Sequence, residues 1–306
     1  MSIKSISFKV LLLTAGMAIN AYSQQDPLYS QYMFNQLAIN PAYTGIHNNF
    51  NVAVNSRYQW GGLEGSPKTN TLTASSSFFG NKVGGGLILI HDRLGVNKNT
   101  EFHFTYAYKI QAGNNIFSFG LQTGIVHYKF DYNQLTLRFI DDPQFVPVSE
   151  GASKPNFGTG FAFMNQKMYL GFSIPRLLNS DFKDGVVSST RYERHYYLAA
   201  AYILDLSTSI KFKPLVLLKA VDGAPASFDL NASVLILNKL WAGLFTRNFD
   251  TYGIMAQFEL NDAYRLGYSF ETPNGDFVAS DLNTHEIMLS LDFALFSDHI
   301  VLKKYF

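Results

Sequence analysis

Residues 101–110 read Glu101-Phe102-His103-Phe104-Thr105-Tyr106-Ala107-Tyr108-Lys109-Ile110, with apolar and polar or small residues in strict alternation. Successive side chains of a strand point to opposite faces, so this stretch has an apolar face of Phe102, Phe104, Tyr106, Tyr108 and Ile110 and a second face that is largely polar. A helix could not gather those five residues on one side. The same period returns at Phe117, Phe119, Leu121, Thr123 and Ile125, at Phe228, Leu230, Ala232, Val234 and Ile236, and at Tyr252, Ile254, Ala256, Phe258 and Leu260. It returns again at Tyr264, Leu266, Tyr268 and Phe270, and at Ile287, Leu289, Leu291 and Phe293.

Extended along the chain, the pattern predicts about fourteen strands, at 50–60, 68–79, 83–93, 100–111, 116–130, 156–164, 168–174, 195–206, 210–221, 227–237, 240–247, 252–260, 263–271 and 284–293. Most are near the roughly ten residues that cross a bilayer at a tilt, and an even count suits a closed single-chain barrel. The connections alternate in length as such a barrel requires. Those at 80–82, 112–115, 165–167, 207–209, 238–239 and 261–262 are short, several with the Gly and Asn of tight hairpins. Those at 61–67, 94–99, 131–155, 175–194 and 272–283 are longer, and 248–251 is short on the long side. The expected fold class is all-β: a transmembrane antiparallel up-and-down barrel with both termini in the periplasm.

Composition agrees. Aromatic residues make up 15% and charged residues 15%, the latter below the roughly 25% of soluble domains. Lipid-facing apolar positions alternating with polar inward ones account for a mean hydropathy of only +0.01. Lys4 and Lys9 precede or begin an apolar run to Ile19, followed by Ala21 and Ser23, which is the pattern of a secretory signal peptide. Cleavage is expected before Gln24. It removes two lysines and no acid from 24 bases and 23 acids, leaving a near-neutral chain with no electrostatic case for nucleic acid. There is no cysteine, so stability must come from packing and hydrogen bonds. The expected division is 1–23 signal peptide, 24–49 N-terminal segment, 50–295 barrel and 296–306 tail.

Enzyme chemistry finds no motif. His285-Glu286 lacks the second histidine of a zinc protease helix, and the glycines between Gly80 and Gly86 lack the Gly-Lys-Ser/Thr ending of a phosphate loop. Those glycines read as relief of crowding at a turn and bend. Histidines 91, 103, 127 and 195 fall on separate predicted strands, and no cofactor or metal is expected. Asp141 and Asp142, or Arg191, Glu193, Arg194 and His195, could serve as a cargo-binding surface or as ordinary solvated loop charge.

The N-terminal segment is the least strand-like part. It carries Gln25-Asp26-Pro27-Leu28-Tyr29-Ser30-Gln31-Tyr32-Met33-Phe34-Asn35 and then Asn40-Pro41-Ala42-Tyr43-Thr44-Gly45. Pro27 and Pro41 break regular structure, Asn35 and Asn40 can satisfy backbone groups, and Tyr29, Tyr32, Phe34 and Tyr43 offer apolar area with polar tips. Two readings stay open: docking inside its own barrel as a plug, or recruiting a periplasmic or translocon partner. In the first predicted hairpin Arg57 and Gln59 share one face of the strand, and Tyr58 and Trp60 the other. Arg57 either binds a partner's acidic group or pairs inside with Glu64, Glu101 or another inward acid, and Trp60 reads as an interfacial girdle residue.

These residues resemble the PorP/SprF family of Bacteroidetes. The opening motif, Arg57-Tyr58-Gln59-Trp60 and Gly65-Ser66-Pro67-Lys68-Thr69 are similar to family elements, with a more general likeness at Gly84–Gly86 and His285-Glu286. The resemblance implies a non-enzymatic outer-membrane component of type IX secretion that assists export or surface display of large adhesins, in some cases linked to gliding motility. Implied partners are outer-membrane lipid, type IX components, adhesin cargo and a periplasmic envelope-anchored protein. Two other roles remain: a transport channel for hydrophobic or small solutes, and a structural link to periplasmic envelope proteins with Gln24 to Asn49 as tether.

Overall fold

The computed structural model describes residues 29–131, 151–184, 188–222, 224–274, 282–301 and 304–306. The expected signal peptide, the start at Gln24 and the residues Asp26, Pro27, Asp141 and Asp142 lie outside the described residues, as does the side chain of Arg191.

In chain order the strands are β1 (Phe50–Tyr58), β2 (Lys68–Phe78), β3 (Val83–Leu94), β4 (Asn97–Ala112), β5 (Asn115–Phe130), β6 (Gly151–Met164), β7 (Met168–Ile174), β8 (Ser180–Asp184), β9 (Ser188–Tyr192), β10 (His195–Tyr202), β11 (Leu204–Asp205), β12 (Ile210–Val221), β13 (Ala224–Ile236), β14 (Leu240–Arg247), β15 (Thr251–Glu259), β16 (Tyr264–Pro273) and β17 (Thr284–Phe293). All pairings are antiparallel neighbours, and the sheet closes on itself where Phe50 faces Phe293 and Tyr58 faces His285. Strands β1–β7, β10 and β12–β17 form a closed fourteen-strand barrel.

Each of the fourteen expected strands has its counterpart, with ends shifted by up to five residues. Two details differ. The expected strand 195–206 breaks at Ile203, whose buried amide donates to the Lys167 carbonyl in the adjoining turn, and the wall resumes with β11 against β12. The connection expected at 175–194 contains a hairpin of its own, β8 with β9, outside the wall sheet.

Alternation sets the two faces. On β4, Phe104, Tyr106, Tyr108 and Ile110 are about half exposed, whereas Glu101, His103 and Lys109 are at most 1% exposed. Leu121, Ile125, Leu244, Ile254, Leu266 and Ile287 continue the outward apolar belt on other strands. Apolar residues outside and charged residues inside are what a hydrocarbon surround demands, because lipid offers no partner to a charge and a barrel closes every backbone ladder. No helix among the described residues is long and apolar enough to cross a membrane.

The inward face is divided. β1, β2, β16 and β17 turn polar residues inward, such as Asn55, Arg57, Thr71, Thr73, Ser269, Glu271 and Glu286. β10 and β12–β14 also turn in Ala199, Ala201, Leu215, Leu217, Leu235 and Trp241, which form one buried cluster with Tyr32, Met33, Ile39, Ala42 and Ile46 of the N-terminal segment. At these positions the wall is apolar on both sides, because there its inner side meets polypeptide.

Candidate functional site inside the barrel

Tyr29 to Asn49 descends through the lumen. It runs from the level of Arg57 and Arg247, near the long-loop end, to that of Ser77 and Asp292 at the short-turn end. At its upper end the seat is ionic. The Arg57 guanidinium lies 2% exposed, donating to both Glu271 oxygens at 2.6 and 3.0 Å, to Glu286 Oε2 at 2.9 Å and to the Ser30 hydroxyl at 2.6 Å. Glu286 in turn accepts the successive amides of Ser30 and Gln31 at 2.8 and 3.0 Å, and Asn55 Nδ2 at 2.8 Å. A carboxylate holding two backbone N–H groups is a strong, sequence-tolerant clamp.

Of the inward acids expected for Arg57, its partners are Glu271 and Glu286, and neither Glu64 nor Glu101. Glu64 is exposed in a loop, and Glu101 pairs with His103 at 2.9 Å and with Arg176. Arg247 completes the upper ring, bonding Asp229 at 3.2 Å and the Tyr29 carbonyl at 3.4 Å. Thr71 donates to the Tyr29 hydroxyl at 3.1 Å, and Thr73 donates to Asn35 Oδ1 at 3.2 Å. Tyr32 is buried among the cluster residues, and Phe34 packs against Trp241 with ring centroids 6.4 Å apart.

Lower down, the Asn40-Pro41-Ala42-Tyr43-Thr44-Gly45 motif explains itself as local structure. Pro41–Tyr43 is a short 3-10 turn with proline at its start, and Asn40 caps it by accepting the Ala42 amide at 2.9 Å. Asn40 Nδ2 also donates to the Phe161 carbonyl of β6 at 3.0 Å. Ser173 donates to the Ile39 carbonyl and Ser118 to the Ala42 carbonyl, both at 2.6 Å, while Lys109 reaches the Gly45 carbonyl. The turn lies directly against wall glycines. A Cβ on Gly120 would overlap the Pro41–Ala42 peptide, one on Gly84 the Thr44 carbonyl, and one on Gly160 the Asn40 side chain. Gly84 is therefore part of a seat for the segment, beyond relieving a bend. Gly45, at φ +55°, has its own Cα against Ser76 backbone, where a Cβ would collide.

Asn40→Ala removes the cap and the wall contact together. It is expected to lower barrel stability by about 1–2 kcal/mol, read as a shift of the urea midpoint of the protein in detergent micelles. An unchanged midpoint would show that the turn contributes nothing.

The first-hairpin residues take structural positions. β1 ends at Tyr58, so Trp60 lies beyond the strand, half exposed and with φ +55°. The Gln59 amide donates to the Pro67 carbonyl at 3.0 Å, closing the hairpin, and the Gly65 carbonyl accepts from Gly95 at 2.7 Å. Histidines 91, 103, 127 and 195 engage local partners, His91 with Thr100, His103 with Glu101, His127 with Ser153 and His195 with the Glu193 carbonyl. Residues the sequence reading did not single out for this site are Glu271, Glu286, Arg247, Gly120 and Gly160. Inward parity marks the charged ones, and no one-dimensional signal marks the glycines.

Fold and site together define an outer-membrane β-barrel whose lumen holds a stretch of its own chain. The chain belongs to the PorP/SprF family of type IX secretion system membrane proteins, whose pattern matches residues 21–291. This is a family of secretion membrane barrels, not of enzymes. Among solved structures the chain is similar to a Pseudomonas aeruginosa FadL homologue, at 11% identity and TM-score 0.50 over 92% of this chain and 97% of that one. It is also similar to the Acinetobacter baumannii outer membrane protein Omp33, at 9% identity and TM-score 0.47 over 82% and 100%. No curated protein sequence matches.

Proposed function

We propose that the chain is a non-enzymatic accessory barrel of type IX secretion that assists export or surface display of large adhesin-type cargo, including adhesins of gliding motility where a cell has them. In this reading a signal peptide at residues 1–23 exports it, and Tyr29–Asn49 is a plug that keeps the lumen from conducting. Type IX components, the cargo and a periplasmic envelope-anchored protein are its partners, and lipid surrounds the outward belt. The observation that carries the reading is the occupied lumen. A solute channel needs a continuous aqueous path, whereas here ionic clamps, a capped turn and a glycine seat hold polypeptide across the bore. Two voids beside the segment measure about 30 Å³ each, room for a few waters.

Gentle affinity purification from native outer membranes tests this, followed by mass spectrometry. The expected result is recovery of other type IX components or a large adhesin, together with silence of the purified protein in planar bilayers. Robust solute-selective conductance by the unmodified protein, with no companion recovered, would transfer the assignment to a transport channel.

A further inference from the structure

The short-turn mouth is closed by a second piece of chain. Beyond β17 the chain passes beneath the wall, where the Ile300 amide donates to Asn48 O at 2.8 Å and Asn48 Nδ2 donates to Asp298 O at 2.6 Å. Lys304, Tyr305 and Phe306 then lie inside the mouth. Phe306 is 7% exposed, with its ring stacked on Tyr169 at 6.1 Å. Its main-chain oxygen accepts the Tyr43 hydroxyl at 2.6 Å, with His47 Nε2 at 3.3 Å. The Tyr305 carbonyl accepts Lys213 Nζ at 2.9 Å, and Lys211 Nζ stands 5.1 Å from the Tyr305 ring centroid. Lys304 pairs with Asp292.

The receiving groups come from β7, β12, β14, β17 and the lumen segment. Lys213 Nζ stands 4.3 Å from the Trp241 ring centroid and 4.9 Å from that of Phe34, so it donates to the Tyr305 carbonyl from between two aromatic rings.

We infer that this mouth is a binding site for a short polypeptide stretch of basic–aromatic–aromatic character, filled in this chain by Lys304–Phe306, and that its occupancy locks the lumen segment in place. The lock follows from shared atoms. Tyr43 and His47 belong to the segment and also bind Phe306, while Phe34, Leu37 and Tyr43 line one void with Tyr305 and Phe306. Each piece loses part of its contacts if the other leaves, and that coupling is reciprocal. A partner polypeptide offering the same three-residue chemistry would compete for the mouth and, once seated there, hold the segment through the same Tyr43 and His47 contacts. The family pattern ends at residue 291, before this stretch.

The inference rests on the plug reading, and its test uses purified protein, so its failure leaves the type IX assignment standing and a failed co-purification leaves this site untouched. Ser75 is a buried inward residue lining the same void, and the chain has no native cysteine, so Ser75→Cys gives a single thiol reporter. In micelles, deleting Lys304–Phe306 is expected to speed labelling of that thiol by a bulky charged methanethiosulfonate at least tenfold. Synthetic Lys-Tyr-Phe at millimolar concentration should return the rate toward that of the parent, and Lys-Ala-Ala should not. Folding is checked by heat-modifiable migration in SDS gels. If the deletion does not fold, the full chain carrying Tyr305→Gly and Phe306→Gly gives the same reading. An unchanged rate in a folded variant overturns the inference, and so does a faster rate that Lys-Tyr-Phe leaves unaltered.

Discussion

Replacing Arg57 with methionine is expected to lower the stability of the barrel by about 3 kcal/mol, because breaking a buried ion pair leaves an uncompensated charge. The side chain is 2% exposed and sits between Glu271 and Glu286, themselves at most 4% exposed. Glu286 retains Ser30, Gln31 and Asn55, but Glu271 keeps only Arg247, whose Nη1 is 3.5 Å from Oε2, among the ion pairs formed by described residues. The loss should therefore concentrate on Glu271. Adding Glu271→Gln to Arg57→Met should recover part of it, since removing the stranded charge is cheaper than leaving it buried. Urea midpoints of the refolded single and double variants in micelles measure both. A single variant that unfolds with the parent, or a double variant less stable than the single, would refute the assignment of Arg57 as keystone of the upper clamp.

The wall could be read from sequence and the seat largely could not, for a physical reason. Period-two alternation is local, so β4, β5, β15 and β17 announce themselves within ten residues, and short hairpins such as 238–239 fix strand direction. Contacts at the seat are set by closure. Arg57 finds Glu271 and Glu286 at sequence separations of 214 and 229, and which inward acid it meets depends on how many strands separate them around the ring. The dipeptide His285-Glu286, which lacks the second histidine of a zinc protease helix, carries the carboxylate that clamps Ser30 and Gln31. Leu215 and Leu217 break the rule of polar inward positions because the lumen segment, and not water, is their neighbour. Asn40-Pro41 could be read as a capped turn, but the surface beneath it belongs to strands some 80 to 120 residues away.

Gly120→Val is expected to turn a silent barrel into a conducting one. Its added Cβ would occupy the position of the Pro41–Ala42 peptide. β5 cannot retreat, since Gly120 pairs with Ala107 on one side and Gly160 on the other in uninterrupted antiparallel ladders. The element that can yield is the 3-10 turn, held by hydrogen bonds of Asn40, Ser118 and Lys109 that all depend on its close approach. Each hydrogen bond is worth on the order of 1 kcal/mol, and several are lost together when the turn lifts. The barrel itself should survive, because its ladders and outward belt are untouched and valine suits a strand. Single-channel recordings in planar bilayers read the result: steps of conductance in the variant against none in the parent. Asn40→Ala, which weakens the same seat without filling it, should give only brief or rare openings. A Gly120→Val protein that is folded and silent would show that the segment can leave its glycine seat and still block the bore, placing the barrier in the ionic ring around Arg57 and Arg247.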